Sequence, residues 1–194
     1  MAEVEAFDQF AAAIARESWQ TFRREPVLFV IAGLVTVVCS VVSLGLLIGP
    51  LQVGFIELVR KVRAGEPVAV SVLFSRMDTL VSSSVAMLVA GLLCFIGLVM
   101  LVVPGLLVMF FFFWSLPAIA YEGLGGIDSL RRSAALTRAN TMHTLALLFL
   151  VALAHAVGGL IMFGFVLTLP LCTIACALGY ERLAAATPEA QLPA

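Results

Sequence analysis

The chain has 194 residues, of which 62% are hydrophobic and 12% are charged, and its formal net charge at pH 7 is -1. An ordinary soluble domain carries about 25% charged residues, so 11 Lys/Arg and 12 Asp/Glu are too few to cover a water-soluble body of this size. This composition excludes a cytosolic globular enzyme and a disordered chain. A basic excess is also missing, which excludes a nucleic-acid-binding protein.

The mean hydropathy of +1.14 indicates an integral membrane protein instead. We expect an all-α fold, a polytopic bundle of membrane helices, because helices satisfy every backbone polar group internally. The expected parts are an amphipathic interfacial segment at residues 1–25, a six-helix membrane domain at residues 26–183 and a disordered tail at residues 184–194.

The first 25 residues have the pattern of a helix that lies on the membrane surface. Trp19 and the Arg23-Arg24 pair are typical anchors at the membrane interface. The acidic, amphipathic start does not resemble a secretory signal peptide. Apolar residues recur at roughly helical spacing: Phe7, Phe10, Ile14 and Phe22.

Three long runs without charge follow, at residues 27–56, 79–121 and 139–180. The second and third runs have about 42 residues each, or about 63 Å as one straight helix, against a hydrocarbon core of about 30 Å. Each must therefore cross twice, with turns at Val103-Pro104-Gly105 and between Gly158 and Gly164. The predicted spans are residues 79–103, 105–121, 140–163 and 165–183.

The first run is shorter, and Gly49-Pro50 is its expected turn. We predict spans at residues 26–48 and 50–64, although the second is short and carries Glu57, Arg60 and Arg63. It either crosses with snorkelling side chains or is re-entrant. A returning second segment places all eleven Lys/Arg on one side, so the positive-inside rule puts both termini in the cytoplasm.

Each pair of spans follows a charged amphipathic stretch, at residues 1–25, 66–78 and 126–138. The spacing of about sixty residues suggests three copies of an interfacial helix plus a transmembrane hairpin. The alternative is that any six-span protein with short outer turns shows such spacing.

Several short patterns occur together along the chain: Gly49-Pro50-Leu51 with Gly54, Pro104-Gly105, residues 127–133 (IDSLRRS) with Asn140, and Ala177-Leu178-Gly179-Tyr180 with Leu183. Together they resemble a bacterial membrane-domain family that occurs alone or fused to glycerophosphodiester phosphodiesterases. The resemblance implies a six-helix domain of the bacterial cytoplasmic (inner) membrane with amphipathic connecting helices and no settled activity. No stretch could build the soluble catalytic barrel, so we do not expect phosphodiesterase activity.

Two ionisable residues fall inside predicted spans, Glu57 and His155, and such residues are functional candidates. Glu57 is either an intramembrane ion site or an ion pair with Arg60 and Lys61 at i+3 and i+4. His155 is either a functional group or a neutral imidazole that hydrogen-bonds across helices. His143 and His155 are about 18 Å apart along one helix and cannot share a metal ion.

Arginines near the expected cytoplasmic surface could contact lipid phosphates, or could serve only as positive-inside anchors, with Asp128 pairing to a neighbouring arginine. The candidate headgroup contacts are Arg23, Arg24, Arg131, Arg132 and Arg138. Small residues at four-residue spacing are typical of close helix packing. They include Gly45, Gly49, Ala154 and Gly158.

No catalytic or cofactor-binding motif occurs in the chain, and its four cysteines lack the partners of a metal set. We therefore expect no enzyme, no cofactor and no metal. The favoured hypothesis is a structural or accessory membrane protein that packs with partner subunits, with itself as a homo-oligomer, or with membrane lipids. The alternatives are a small transporter or channel for a lipid-derived or amphiphilic solute, and a membrane-shaping protein.

Overall fold

The computed structural model describes residues 7–160 and 164–187, and in these ranges the chain forms helices and no strands. The all-α prediction is confirmed. The α-helices are α1 (Phe7–Arg24), α2 (Pro26–Val42), α3 (Ile48–Ala64), α4 (Leu80–Met100), α5 (Val102–Phe111), α6 (Ser115–Glu122), α7 (Gly126–Ala139), α8 (Thr141–Leu160) and α9 (Gly164–Ala186). Two short 3-10 turns, Val70–Phe74 and Met77–Thr79, precede α4.

Four helical segments within the described ranges are long and apolar enough to cross a membrane. They are Val70–Met100, Val102–Glu122, Thr141–Gly159 and Val166–Ala186. Helices α1 and α2 would supply a fifth if counted as one span, but they are bent by 98° where they meet. The chain is therefore a helical protein whose apolar helices suit a membrane.

Helix α1 lies against the bundle through its apolar face. Phe10, Ile14 and Phe22 are buried, and α1 packs mainly on α9 and α8. Pro26 begins α2, and a proline disfavours helical geometry in the residue before it. That restriction at Glu25 explains why α1 stops there and the chain changes direction.

The link between α2 and α3 differs from the sequence prediction of a span at 26–48 that turns at Gly49-Pro50. Helix α2 ends at Val42, and the turn occupies residues 43–47, where Leu44 and Gly45 have φ of 52° and 88°. Pro50 instead lies in the first turn of α3. Proline is tolerated there because the first N–H groups of a helix have no intrahelical partner.

Helix α3 forms the centre of the core. Leu51, Phe55 and Leu58 are fully buried, and α3 packs on α4, α6, α9 and the turn Val70–Phe74. The predicted amphipathic helix at residues 66–78 is absent, because this stretch forms an extended piece and two 3-10 turns that seat Leu73 directly over Gly54. A side chain at Gly54 has no room.

The predicted span at residues 105–121 is broken into α5 and α6 at residues 112–114. Ser133 of α7 binds backbone groups on both sides of the break. Its hydroxyl donates to Phe111 O at 2.8 Å and accepts the backbone N–H of Trp114 at 2.9 Å. Helix α7 packs on both α5 and α6, so it crosses this interruption.

Helices α8 and α9 pack extensively on each other, as do α4 and α5, whereas α2 packs more on α9 than on α3. Helix α9 continues to Ala186, past the start of the predicted tail at 184, and the Asn140 amide donates to the Thr187 hydroxyl at 3.0 Å. The remaining tail, residues 188–194, and part of the predicted turn, residues 161–163, lie outside the described residues.

Candidate functional site

Charged side chains at one end of the bundle form a network, here called the polar layer, that connects α1, α3, α6, α7 and α9. On α1, the Glu17 carboxylate accepts hydrogen bonds from Arg63 at 3.2 Å and from Arg182 at 2.6 Å. Arg63 also binds Glu181 of α9. Three helices distant in sequence are thus joined through two carboxylates and two guanidinium groups.

Glu57 belongs to the same layer and is ion-paired. Its carboxylate accepts a hydrogen bond from Arg60 at 2.9 Å and lies 3.9 Å from Arg76. Arg76 donates in turn to the Ala120 carbonyl at 3.2 Å, which joins the segment before α4 to α6. Of the two interpretations of Glu57, the structure shows the ion pair.

Two stacked tyrosines, Tyr121 and Tyr180, link the part of the polar layer around Glu181 to the part around Glu122. The Tyr121 and Tyr180 rings lie 5.5 Å apart, and the Arg60 guanidinium lies 5.2 Å from the Tyr121 ring centre. Tyr121 donates to Glu181 at 2.9 Å, and Tyr180 donates to Glu122 at 2.5 Å. Both phenols, the buried one of Tyr180 and the partly buried one of Tyr121, therefore have a carboxylate acceptor.

Arg132 differs from the other candidate headgroup arginines because it is 9% exposed. Its Nε lies 3.0 Å from both Glu122 oxygens, and its Nη1 is buried with no partner in the described part of the chain. Burial acts to lower the pKa of Arg132, but the hydrogen bond and charge of Glu122, reinforced by Tyr180, raise it overall. Arg132 therefore holds α7 to α6 through Glu122, and its contact with lipid headgroups stays a prediction.

The other four candidate headgroup arginines are exposed on α1 and α7. Arg23 and Arg24 end α1, and Arg24 donates to the Arg63 carbonyl at 3.4 Å. Arg131 lies 3.5 Å from Asp128. Arg138 lies 5.7 Å from the Phe111 ring centre.

His155 lies at a cavity of 220 Å³ between α3, α6, α8 and α9, here called the His155 cavity. Its Nδ1 is 2.9 Å from the Val151 carbonyl, so Nδ1 carries a proton and donates to that oxygen. Its contact across helices is to Cys172, at 3.4 Å. Glu57 does not line this cavity, so the two polar candidates belong to separate places.

Sequence analysis missed Gln52 and Thr173, which also line the His155 cavity. The Thr173 hydroxyl lies 3.2 Å from Gln52 Oε1 and 3.0 Å from the Leu169 carbonyl. A search limited to ionisable residues passes over an amide and a hydroxyl, although Gln52 interrupts an apolar run. Within the described ranges, no three His, Cys, Asp or Glu side chains lie close enough to hold a metal ion.

The small residues singled out from the sequence have different positions. A Cβ atom would lie 2.7 Å from Ser83 Oγ at Gly49 and 2.5 Å from Thr168 Cγ2 at Gly158, so both glycines allow helices to approach closely. Ala154 lines a cavity of 170 Å³ beside Trp19. Gly45 lies in the turn after α2 and not at a helix contact. Glycine is suited to this position because it adopts the positive φ of 88° without strain.

The fold defines an all-helical protein with several helices long and apolar enough to span a membrane. The chain belongs to the family described as a domain of unknown function (DUF7847), whose model matches residues 53–194. No curated protein and no solved structure matches the chain. The resemblance to the membrane domains of glycerophosphodiester phosphodiesterases stays a prediction.

Proposed function

We propose that the protein is a non-catalytic component of the bacterial cytoplasmic membrane, acting as a structural or accessory subunit. The observation that supports this is the polar layer. Glu17, Glu57, Glu122 and Glu181 all bond to arginines, largely on other helices. Charges used in this way stabilise the arrangement of helices, and in the described part of the chain these four carboxylates are bound by arginines instead of converging on a substrate.

The proposed topology has six membrane segments as three hairpins, both termini in the cytoplasm, and α3 as the short second segment. Its support is that all eleven Lys/Arg then share one side. The test is labelling of single cysteines in a cysteine-free background with a membrane-impermeant thiol reagent. Leu46→Cys should react in intact cells, whereas Glu66→Cys should react only after permeabilisation. Reaction of Glu66→Cys in intact cells would overturn the returning second segment.

The accessory role is tested by isolating the protein in polymer nanodiscs and identifying what stays bound by mass spectrometry. We expect partner membrane subunits in fixed stoichiometry. A monodisperse monomer that carries lipid alone would contradict the accessory role.

Variants of the two intramembrane polar candidates test the non-catalytic assignment. Glu57→Gln should lower thermal stability, because Arg60 and Arg76 lose their shared anion. His155→Ala should have a small effect, because His155 is exposed and bonds mainly within its own helix. Loss of cellular function in either variant with unchanged melting and unchanged assembly would contradict a purely structural role.

A small transporter for a lipid-derived or amphiphilic solute is the second candidate, and the His155 cavity supports it. The cavity has a polar pair, Gln52 and Thr173, at one wall and His155 at another. Flux of such a solute into proteoliposomes should fall with Gln52→Leu and His155→Ala, and stay unchanged with Ser75→Ala, which is exposed outside the cavity. Unchanged flux in both cavity variants would exclude this mechanism.

A further inference from the structure

A second cavity, of 380 Å³, lies between α1 and the end of α3 and is lined mainly by polar groups. Arg16, Gln20 and Arg24 recur every four residues and therefore form one stripe about 12 Å long on α1. Arg63 of α3 and Glu17 of α1 also line this space. This cavity is here called the arginine groove.

The arginine groove has an excess of positive charge, because three arginines line it and one glutamate does. That glutamate, Glu17, is already bound by Arg63 and Arg182, and Arg63 also binds Glu181. Glu17 and Arg63 are thus held in place by the polar layer and form a fixed wall.

Arg16 and Arg24 remain available to a ligand. Within the described ranges Arg16 has no hydrogen bond or ion pair, and Arg24 makes one long hydrogen bond, at 3.4 Å, to a backbone carbonyl. Two guanidinium groups eight residues apart on one helix face, with an amide between them at Gln20, offer several donors to an anion. Guanidinium forks suit the oxygens of a phosphate group well.

The position of α1 indicates where that phosphate comes from. Helix α1 is bent by 98° from α2, so when α2 crosses the bilayer α1 lies nearly in the plane of its surface. Trp19, on the same helix, is 48% exposed, and tryptophan favours the depth of the lipid headgroups. The arginine groove then opens at the level of the phosphates.

We propose that the arginine groove binds the phosphate of an anionic phospholipid through Arg16 and Arg24, with Gln20 as an additional donor. This inference deepens the proposed function and rests on it for the placement of α2 and α1 in the membrane. It assigns a lipid contact to the exposed face of α1 beside the polar layer.

The test compares two double variants that remove equal charge from exposed helix faces. Arg16→Gln/Arg24→Gln empties the groove, whereas Arg131→Gln/Arg138→Gln alters α7 and serves as the control. Each protein is reconstituted in nanodiscs that contain phosphatidylglycerol and phosphatidylethanolamine, released, and analysed by native mass spectrometry for bound lipid. We expect the preference for phosphatidylglycerol to fall about tenfold or more in the groove variant and less than about threefold in the control.

An equal fall of the phosphatidylglycerol preference in both double variants would overturn the proposal, because it would indicate an effect of general surface charge. An unchanged preference in the groove variant would overturn it as well. Neither arginine of the groove variant takes part in the Glu17 or Glu181 ion pairs, so we expect its melting temperature to match that of the unchanged protein. Competition by millimolar inorganic phosphate is a further arm. Release of the bound lipid by inorganic phosphate would overturn the assignment to a lipid, and its retention would support it.

Partner subunits are scored in the same preparations. Loss of phosphatidylglycerol preference while partner subunits stay bound is the result expected for the groove variant. If wild-type protein shows the lipid preference but no partner subunit, the accessory role fails and the lipid site stands. The two failures are therefore distinguishable.

Discussion

Gly126→Ala is a direct test of how α7 is seated on α4. A Cβ atom at Gly126 would lie 2.5 Å from the Ser82 carbonyl oxygen and 2.8 Å from Val85 Cβ, whereas ordinary van der Waals contact begins at 3.4 Å. The two helices must therefore separate locally by about 0.9 Å, and overpacking of this kind costs about 1–3 kcal/mol. For a chain of this length we expect the melting temperature to fall by roughly 3–10 °C.

The matched control is Gly91→Ala in α4, where an added Cβ meets no atom within 4 Å. Alanine has the higher helix propensity, so this control should melt at or slightly above the temperature of the unchanged protein. Both are measured on purified protein at one detergent concentration, by loss of the monodisperse peak in size-exclusion chromatography after heating. A Gly126→Ala protein that melts no lower than the Gly91→Ala protein would refute the close approach of α7 to α4, and with it the position of Arg132.

The other expected outcomes concern ion pairing, backbone strain and aromatic packing. Arg132→Met should lower the free energy of unfolding by about 3 kcal/mol because it leaves a partly buried carboxylate without its cation, while exposed Arg131→Met changes it by less than about 1 kcal/mol. Equal effects in a denaturant titration would contradict the burial of Arg132. Leu44→Gly should raise the melting temperature slightly. Leu44 is 96% exposed, so its side chain contributes little packing, and its φ of 52° is costly for any residue with a Cβ atom. A lower melting temperature would refute this reasoning. Trp114→Phe should lower the free energy of unfolding by about 2 kcal/mol, because it removes the indole hydrogen bond to Thr144 at 3.0 Å and leaves a small void. The same change should remove the blue-shifted part of the tryptophan emission, because only the half-exposed Trp19 then emits. Emission unchanged in shape would contradict the full burial of Trp114.

Features that depend on nearby residues could be predicted from the sequence. The third amphipathic stretch, predicted at residues 126–138, is α7, and the pairing of Glu57 with Arg60 follows from their spacing on one helix turn. The helical, membrane-suited character of the chain follows from long runs without charge. Each of these properties is set by neighbours within a few residues, or by composition over a long run.

Features that depend on distant partners could not be predicted in this way. The backbone groups at the break between α5 and α6 bind Ser133, about twenty residues further along the chain. The turn after α2 lies at Leu44 and Gly45, although Gly49-Pro50 is the stronger local turn signal. Proline suits the first turn of a helix as well as a loop, so the local pattern could not distinguish the two positions.

The candidate sites also combine features set by nearby residues with features set by distant partners. The amino-acid sequence by itself determined that the protein is helical, apolar enough for a membrane, and marked by arginines in a few clusters. Only the tertiary structure decided which arginines are used internally: Arg63 and Arg132 bind carboxylates of other helices, whereas Arg16 and Arg24 line an open groove. The physical reason is that a charged side chain can be buried only where a compensating group meets it. In a helical bundle that group comes from another helix, whose position local sequence does not encode.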